Sequence, residues 1–178
     1  MYLNIYNKAN LFLWTINLVL TLVNKFTKMI YQKYYLIAIQ TVMLSDVVHV
    51  LLKLVPGQVM ATALQLTSRI YVVWLVLPFQ QEENLYNFLM YVAWSLAEIV
   101  RYSFYEHKDL KWLRSLRYNM FIVLYPIGVI SELKLIWQHY SNQNCWRDLF
   151  IIAIYVPFFP YLYFYMLKQR NKQQQQKA

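Results

Sequence analysis

The chain has 178 residues, of which 60% are hydrophobic, 19% are aromatic and only 14% are charged, and its mean hydropathy is +0.30. Soluble domains are about 45–50% apolar and about 25% charged, so this composition excludes an ordinary soluble protein and favours one that contacts lipid. The net charge of +9 does not indicate nucleic-acid binding, because the basic residues lie mostly between long apolar segments. The single cysteine, Cys145, excludes an intramolecular disulfide.

Six segments are long and apolar enough to form membrane-spanning helices. In chain order they cover about residues 9–24, 34–54, 58–78, 85–105, 116–137 and 148–167. The connections are short, so consecutive helices are expected to be antiparallel neighbours. We therefore predict an all-α, integral membrane six-helix bundle that forms one domain over residues 1–170. A disordered glutamine-rich tail is expected at 171–178.

The distribution of lysine and arginine predicts the orientation of this bundle. If the N-terminus is cytosolic, the cytosolic face carries Lys8, Lys108, Lys111, Arg114, Arg117, Lys168, Arg170, Lys172 and Lys177. The opposite face then carries only Lys25, Lys28, Lys33 and Arg147. Because basic residues accumulate on the cytosolic side of membranes, both termini are expected to be cytosolic.

Ionisable residues inside a membrane are costly, so each one in the predicted spans is a candidate functional residue. The structural alternative is that they pair with one another. Glu98 and Arg101 are three residues apart on one helical face, and Asp46 and His49 have the same spacing. Arg69, in the next span, could neutralise Asp46.

Glu132 differs from these residues, because no basic residue lies within four positions on its own helical face. Tyr125 precedes it by seven residues, which is about 700° of helical rotation and places both side chains on one face, about 10 Å apart along the axis. A carboxyl and a hydroxyl on one face could perform acid–base catalysis. A tyrosine in so aromatic a helix, however, more often serves packing.

The segment RYNMFIVLYPIGVISE, residues 117–132, resembles the 3-hydroxyacyl-CoA dehydratases of very-long-chain fatty-acid elongation, a family also called protein-tyrosine-phosphatase-like. The family hallmark is a YPxGxxxE core, which is matched here by Tyr125, Pro126, Gly128 and Glu132. Three further stretches match in the same order, at residues 64–74, 94–105 and 155–170. The resemblance therefore covers nearly the whole chain.

This resemblance implies a hydro-lyase that converts 3-hydroxyacyl-CoA to trans-2-enoyl-CoA in the third step of fatty-acid elongation. It implies that Tyr125 and Glu132 are the catalytic residues and that no metal or other cofactor is needed. The implied setting is the endoplasmic reticulum membrane. The implied partners are the lipid bilayer and an elongase complex of condensing enzyme, ketoacyl-CoA reductase and enoyl-CoA reductase, with no nucleic acid.

Basic residues are the candidates for binding the CoA phosphates. The predicted substrate-binding residues are Arg101, Lys108, Lys111, Arg114 and Arg117. The alternative is that the four loop residues only determine topology and that Arg101 only pairs with Glu98.

The sequence also bears on functions other than a dehydratase. A phosphatase needs a cysteine thiolate and a phosphate-binding arginine, and Val50 and Pro56 stand at the corresponding positions. A transporter is disfavoured because no paired, Gly/Pro-interrupted segments indicate an inverted repeat. The remaining alternative is a catalytically inactive family member that acts as a membrane assembly or regulatory subunit.

Overall fold

The computed structural model describes residues 2–27, 31–55, 58–80, 84–107 and 109–175, and these residues form helices and no strand. The helices in chain order are α1 (Tyr2–Thr27), α2 (Tyr31–Val42), α3 (Leu44–Leu51), α4 (Val59–Tyr71), a π-helical segment (Val72–Val76), a 3-10 turn (Leu77–Phe79), α5 (Leu85–Glu106), α6 (Lys111–Gln143) and α7 (Trp146–Gln175). The fold class predicted from the sequence is therefore confirmed.

The six predicted spans correspond to six helical rods, because α2 and α3 together form the second rod and α4 continues through the π-helical segment into the third. By length and composition, four of the rods can cross a membrane: Gln32–Leu51, Val59–Phe79, Lys111–Gln143 and Trp146–Lys172. The protein is thus a multi-pass membrane protein. The remaining rods, α1 and α5, are also long, but each carries several polar side chains.

One face of α1 is buried and includes polar side chains. Asn10, Trp14, Asn17 and Thr21 recur at intervals of four, three and four residues and are all buried, so they share one side of the helix. This side packs on α5, where the Asn17 amide donates a 2.8 Å hydrogen bond to the Ser95 hydroxyl. Interhelical hydrogen bonds of this kind hold helices together in lipid, where apolar surface alone gives no preference for a protein neighbour.

The connection between α6 and α7 is short because Asn144 adopts a left-handed conformation, with φ of 52°. Asparagine tolerates this conformation better than most residues, and it commonly ends a helix in this way. The turn brings α7 back along α6 as its antiparallel partner. Both helices continue through their internal prolines, at 126 in α6 and at 157 and 160 in α7.

The far end of α7 differs from the predicted disordered tail. The helix continues past residue 170 to Gln175, so residues 171–175 are helical, while 176–178 lie outside the described residues. Glutamine and lysine are good helix formers, and no glycine or proline interrupts this stretch. A polar composition therefore did not by itself end the helix.

The rods are arranged in a circle with one weak junction. Neighbouring backbones pack between α1 and α2, α2 and α4, α1 and α5, α5 and α6, and α6 and α7, and the π-helical segment of the third rod also packs on α6. The remaining neighbours, α4 and α7, would complete the circle but make few backbone contacts. The space enclosed by α4, α5, α6 and α7 contains the candidate site.

Candidate active site

Glu132 lies at the centre of the candidate site, on α6, with 4% of its surface exposed. The Trp94 indole Nε1, on α5, donates a 2.9 Å hydrogen bond to Glu132 Oε1. The Tyr155 hydroxyl, on α7, donates a 2.7 Å hydrogen bond to Glu132 Oε2. In the described part of the chain no basic group lies within 4 Å of this carboxylate. Two neutral donors from two other helices therefore hold Glu132 in place.

Gly128, one helical turn before Glu132, allows the indole of Trp94 to approach α6 closely. A Cβ atom at this position would lie 3.7 Å from Trp94 Nε1 and 3.9 Å from Glu132 Oε1. A methyl group would be in van der Waals contact with both groups, and any larger side chain would displace the indole. Alanine would therefore fit at this position, and the Trp94–Glu132 hydrogen bond limits the side chain there to about that size.

Tyr125 lines the same cavity as Glu132, a space of about 400 Å³ between α4, α5, α6 and α7 that we call the catalytic cavity. Its ring stacks on Phe159 of α7, with ring centroids 5.4 Å apart and an interplanar angle of 2°. It also stacks on Tyr163, at 6.2 Å. No hydrogen bond joins the Tyr125 hydroxyl to another described residue, so the ring is fixed by packing while the hydroxyl is available.

A second cavity of about 250 Å³, here called the polar vestibule, adjoins the catalytic cavity. Its wall includes Tyr6, Asp46, His49, Arg101, Tyr105 and Arg117. Arg101, Arg117 and Tyr125 line both cavities. Tyr125 therefore lies at the boundary between the apolar catalytic cavity and the polar vestibule.

Four charged side chains form a continuous network beside these cavities. Arg69 Nη1 lies 2.5 Å from Glu98 Oε1, and Arg101 Nε lies 2.7 Å from Glu98 Oε2. Arg101 Nη2 in turn lies 2.6 Å from Asp46 Oδ2, and the Tyr6 hydroxyl donates to Asp46 Oδ1 at 2.7 Å. Two positive and two negative charges thereby compensate one another across α3, α4 and α5.

The network confirms two predicted pairings and corrects a third. Glu98 and Arg101 pair as their spacing predicts, and His49 Nδ1 lies 3.9 Å from Asp46. The prediction that Arg69 neutralises Asp46 is wrong, because Arg69 pairs with Glu98 and its guanidinium lies 4.9 Å from the ring centre of Trp94. Both of these partners lie on α5, and the carboxyl of Asp46 is occupied by Arg101.

The five predicted substrate-binding residues fall into different groups in the structure, because only some of them line a cavity. Arg101 and Arg117 line both cavities. Lys111 is exposed and Arg114 is half-buried, and neither lines the catalytic cavity or the polar vestibule. Lys108 lies outside the described residues. The guanidinium of Arg117 lies 4.5 Å from the ring centre of Phe104 and 4.8 Å from that of Tyr105, so aromatic rings rather than a carboxylate surround it.

Sequence reasoning missed two groups of residues. Trp94 and Tyr155 contact Glu132 from other helices, and no spacing within one helix could have identified them. A second cluster joins α4, α6 and α7, where Asp148 is fully buried between Tyr71 and His139. The Tyr71 hydroxyl donates to Asp148 Oδ1 at 2.5 Å, and His139 Nδ1 lies 2.7 Å from Asp148 Oδ2.

Within the described residues, no cluster of three or more His, Cys, Asp or Glu could hold a metal ion.

Comparison with known proteins shows that the chain is similar in sequence to the members of one family. The sequence model of the family described as "Protein tyrosine phosphatase-like protein, PTPLA" matches residues 40–176 of this chain. The very-long-chain (3R)-3-hydroxyacyl-CoA dehydratase hpo-8 of Caenorhabditis elegans is 34% identical over 203 residues, covering 96% of this chain and 93% of that protein. The corresponding dehydratase PASTICCINO 2A of Oryza sativa subsp. japonica is 35% identical, covering 97% of this chain and 92% of that protein.

Mammalian relatives are longer. Very-long-chain (3R)-3-hydroxyacyl-CoA dehydratase 1 of Mus musculus is 39% identical over 160 residues, covering 75% of this chain. The present chain spans only 56% of the mouse protein's length. No solved structure matches the chain.

Proposed function

The chain belongs to the protein tyrosine phosphatase-like, PTPLA, family, and we propose that it removes water from a long-chain 3-hydroxyacyl-CoA to give the trans-2-enoyl-CoA. The observation that carries the proposal is the buried Glu132, which faces an apolar cavity together with Tyr125 and is held by the neutral donors Trp94 and Tyr155. The names of the relatives support the same hydro-lyase reaction.

The proposed reaction uses Glu132 twice. Its carboxylate removes the proton at C2, the C2–C3 double bond forms, and the bond between C3 and the hydroxyl oxygen breaks. The same carboxyl then gives the proton to the departing oxygen, so that water leaves and the carboxylate is regenerated. A carboxyl group can act as base and then as acid within one cycle.

Tyr125 is proposed to assist without losing its proton. Its hydroxyl donates a hydrogen bond to the thioester oxygen, on which negative charge develops when the C2 proton is removed. A fixed donor directed at developing charge lowers the barrier because it needs no reorganisation during the reaction. The stack with Phe159 and Tyr163 supports this role, since it fixes the ring while leaving the hydroxyl available.

The polar vestibule is the proposed site of the CoA moiety. Arg117 lies there without a carboxylate partner in the described residues, and a guanidinium of this kind can bind phosphate through two parallel hydrogen bonds. Arg101 is available only in part, because it already pairs with Glu98 and Asp46. The acyl chain would then extend from the vestibule past Tyr125 into the catalytic cavity.

The cellular setting is part of the same proposal. The excess of basic residues on one face supports cytosolic termini, which would put the vestibule within reach of soluble CoA esters. The family supports residence in the endoplasmic reticulum, in a complex with the condensing enzyme and the ketoacyl-CoA and enoyl-CoA reductases. A phosphatase is not proposed, because the single cysteine, Cys145, lines neither cavity.

The test is dehydration of a long-chain 3-hydroxyacyl-CoA by the purified protein in detergent, with the double variant Tyr125→Phe/Glu132→Gln as the control. We expect the wild type to form enoyl-CoA and the folded double variant to form none. Equal rates in the two proteins would contradict the assigned residues. Inactivity of the folded wild type would instead favour a non-catalytic assembly or regulatory subunit.

A further inference from the structure

The catalytic cavity has a side that the backbone does not close. Three of its walls are formed by α5, α6 and α7, which pack against one another in that order, and α4 forms the fourth wall. As α4 and α7 make few backbone contacts, the cavity is bounded there by side chains alone.

Side-chain bridges join α4 and α7 at two levels. The Gln58 amide donates a 3.2 Å hydrogen bond to the Tyr161 hydroxyl near the start of α4. The Tyr71 hydroxyl donates to Asp148 at the end of α4. The bridging residues are separated by thirteen positions on each helix, or about 20 Å. The two helices are thus held apart at a fixed spacing over about four turns.

Between the two bridges the α7 wall is apolar, the α4 wall carries Leu64 beside the polar Gln65, Thr67 and Ser68, and the gap between the helices is not sealed. Leu64 on α4 and Ile151, Ile154 and Phe158 on α7 line the cavity there, and each is only half-buried. Thr67 lines the cavity and is exposed. Since these helices are apolar enough to cross a bilayer, the exposed side of this stretch faces lipid.

We propose that this opening between α4 and α7 is the passage through which the acyl chain of the substrate extends from the catalytic cavity into the bilayer. The proposal rests on the proposed function. The acyl chain is the proposed occupant because the cavity that contains Glu132 and Tyr125 leads on one side to the charged residues of the vestibule and on the other to the apolar α7 wall of the opening. An acyl-CoA has the same division between a charged end and an apolar end.

The passage has a consequence for specificity. In a closed pocket, acyl carbons beyond the length of the pocket clash with its end. In an open passage those carbons lie in lipid, where they neither increase nor decrease the binding free energy of the substrate. The rate should therefore rise with chain length while carbons fill the cavity and then stay constant.

Narrowing the passage provides the test. Ile154→Trp places a large ring at the opening, whereas Val156→Trp places the same ring on the outer surface of α7, where Val156 is 72% exposed. Both variants are assayed with a long-chain and a six-carbon 3-hydroxyacyl-CoA. We expect Ile154→Trp to lower kcat/KM for the long chain by about ten-fold or more, equivalent to about 1.4 kcal/mol. The rate with the short chain, and both rates of Val156→Trp, should stay close to those of the wild type.

Equal losses for both chain lengths in Ile154→Trp, or no loss for either, would overturn the passage while leaving the dehydratase intact. A wild type that turns over neither substrate would overturn the proposed function instead.

A second measurement does not need a folded variant or turnover. A long-chain 3-hydroxyacyl-CoA with a photoreactive diazirine at its terminal carbon is bound to the wild-type protein and illuminated. Labels at residues 64–67 and 151–158 support the passage, and labels confined to other helices overturn it.

Discussion

Glu98 and Glu132 are both buried, with 3% and 4% of their surfaces exposed, and both line the catalytic cavity. They differ in their partners. Glu98 lies between Arg69 and Arg101, whereas Glu132 accepts hydrogen bonds from the neutral groups of Trp94 and Tyr155. A carboxylate between two cations is held by ion pairs, whereas one held by neutral donors forms no ion pair and is available for proton transfer. The same residue type thus serves structure in one position and is suited to chemistry in the other.

The largest effect is expected when the proton acceptor is removed. Glu132→Gln keeps the size of the side chain but abolishes its basicity, so we expect the dehydration rate to fall by about 10²–10⁴-fold. Thermal unfolding in detergent should change little, because no ion pair is lost. Near wild-type activity in this variant would remove Glu132 from the mechanism.

The same substitution at Glu98 should act on stability instead. Glu98→Gln leaves Arg69 and Arg101 without their shared carboxylate, and breaking a buried pair costs about 3–5 kcal/mol. Chemical unfolding in detergent would measure this loss. Asp109→Asn is the control, since Asp109 is exposed, forms no ion pair within the described residues and should cost less than about 0.5 kcal/mol. Equal losses of stability in the two variants would contradict the role assigned to the network.

Removing one of the neutral donors should have an intermediate effect on catalysis. Tyr155→Phe keeps the ring but loses the 2.7 Å hydrogen bond to Glu132, so the carboxylate is less well oriented. We expect kcat to fall about ten-fold, or about 1.4 kcal/mol in barrier height. Tyr140→Phe, a half-buried tyrosine at the far end of α6, is the control. Unchanged kcat in Tyr155→Phe would show that Trp94 alone positions Glu132.

The smallest effect on kcat is expected for a change confined to substrate binding. Arg117→Gln removes the guanidinium at the boundary of the two cavities, and a hydrogen bond to a charged group is worth about 1.5–3 kcal/mol. We expect KM for the acyl-CoA to rise about ten-fold with kcat nearly unchanged. Lys168→Gln removes an exposed charge from α7 and should leave both constants near wild type. A fall in kcat alone would place Arg117 outside the CoA site.

The sequence was sufficient for features that depend on one helix at a time. The six rods follow from the length and hydropathy of the apolar segments, and the pairing of Glu98 with Arg101 follows from their spacing of three residues. Tyr125 and Glu132 share a cavity wall because seven residues make almost two turns.

Features that depend on two helices could not be predicted. The partner of Arg69, the donors to Glu132 and the bridge from Tyr71 to Asp148 all require the relative rotation and height of separate rods. Helical periodicity says which residues share a face, but it does not say which face of another helix lies opposite. The π-helical segment after α4 adds to this difficulty, because its wider turn shifts the faces beyond residue 71.

The pairing of Arg69 with Glu98 also bears on how the chain is synthesised and inserted. Arg69 precedes its partner by 29 residues, so α4 reaches the membrane ahead of the helix that carries Glu98. A lone arginine at the centre of an inserting helix costs about 2.5–3.5 kcal/mol. This cost is offset only when α5 arrives with the opposite charge, so residues 59–106 should insert stably as one unit rather than helix by helix. A ribosome-bound chain that ends before α5 would then hold α4 in the bilayer less firmly than the complete pair.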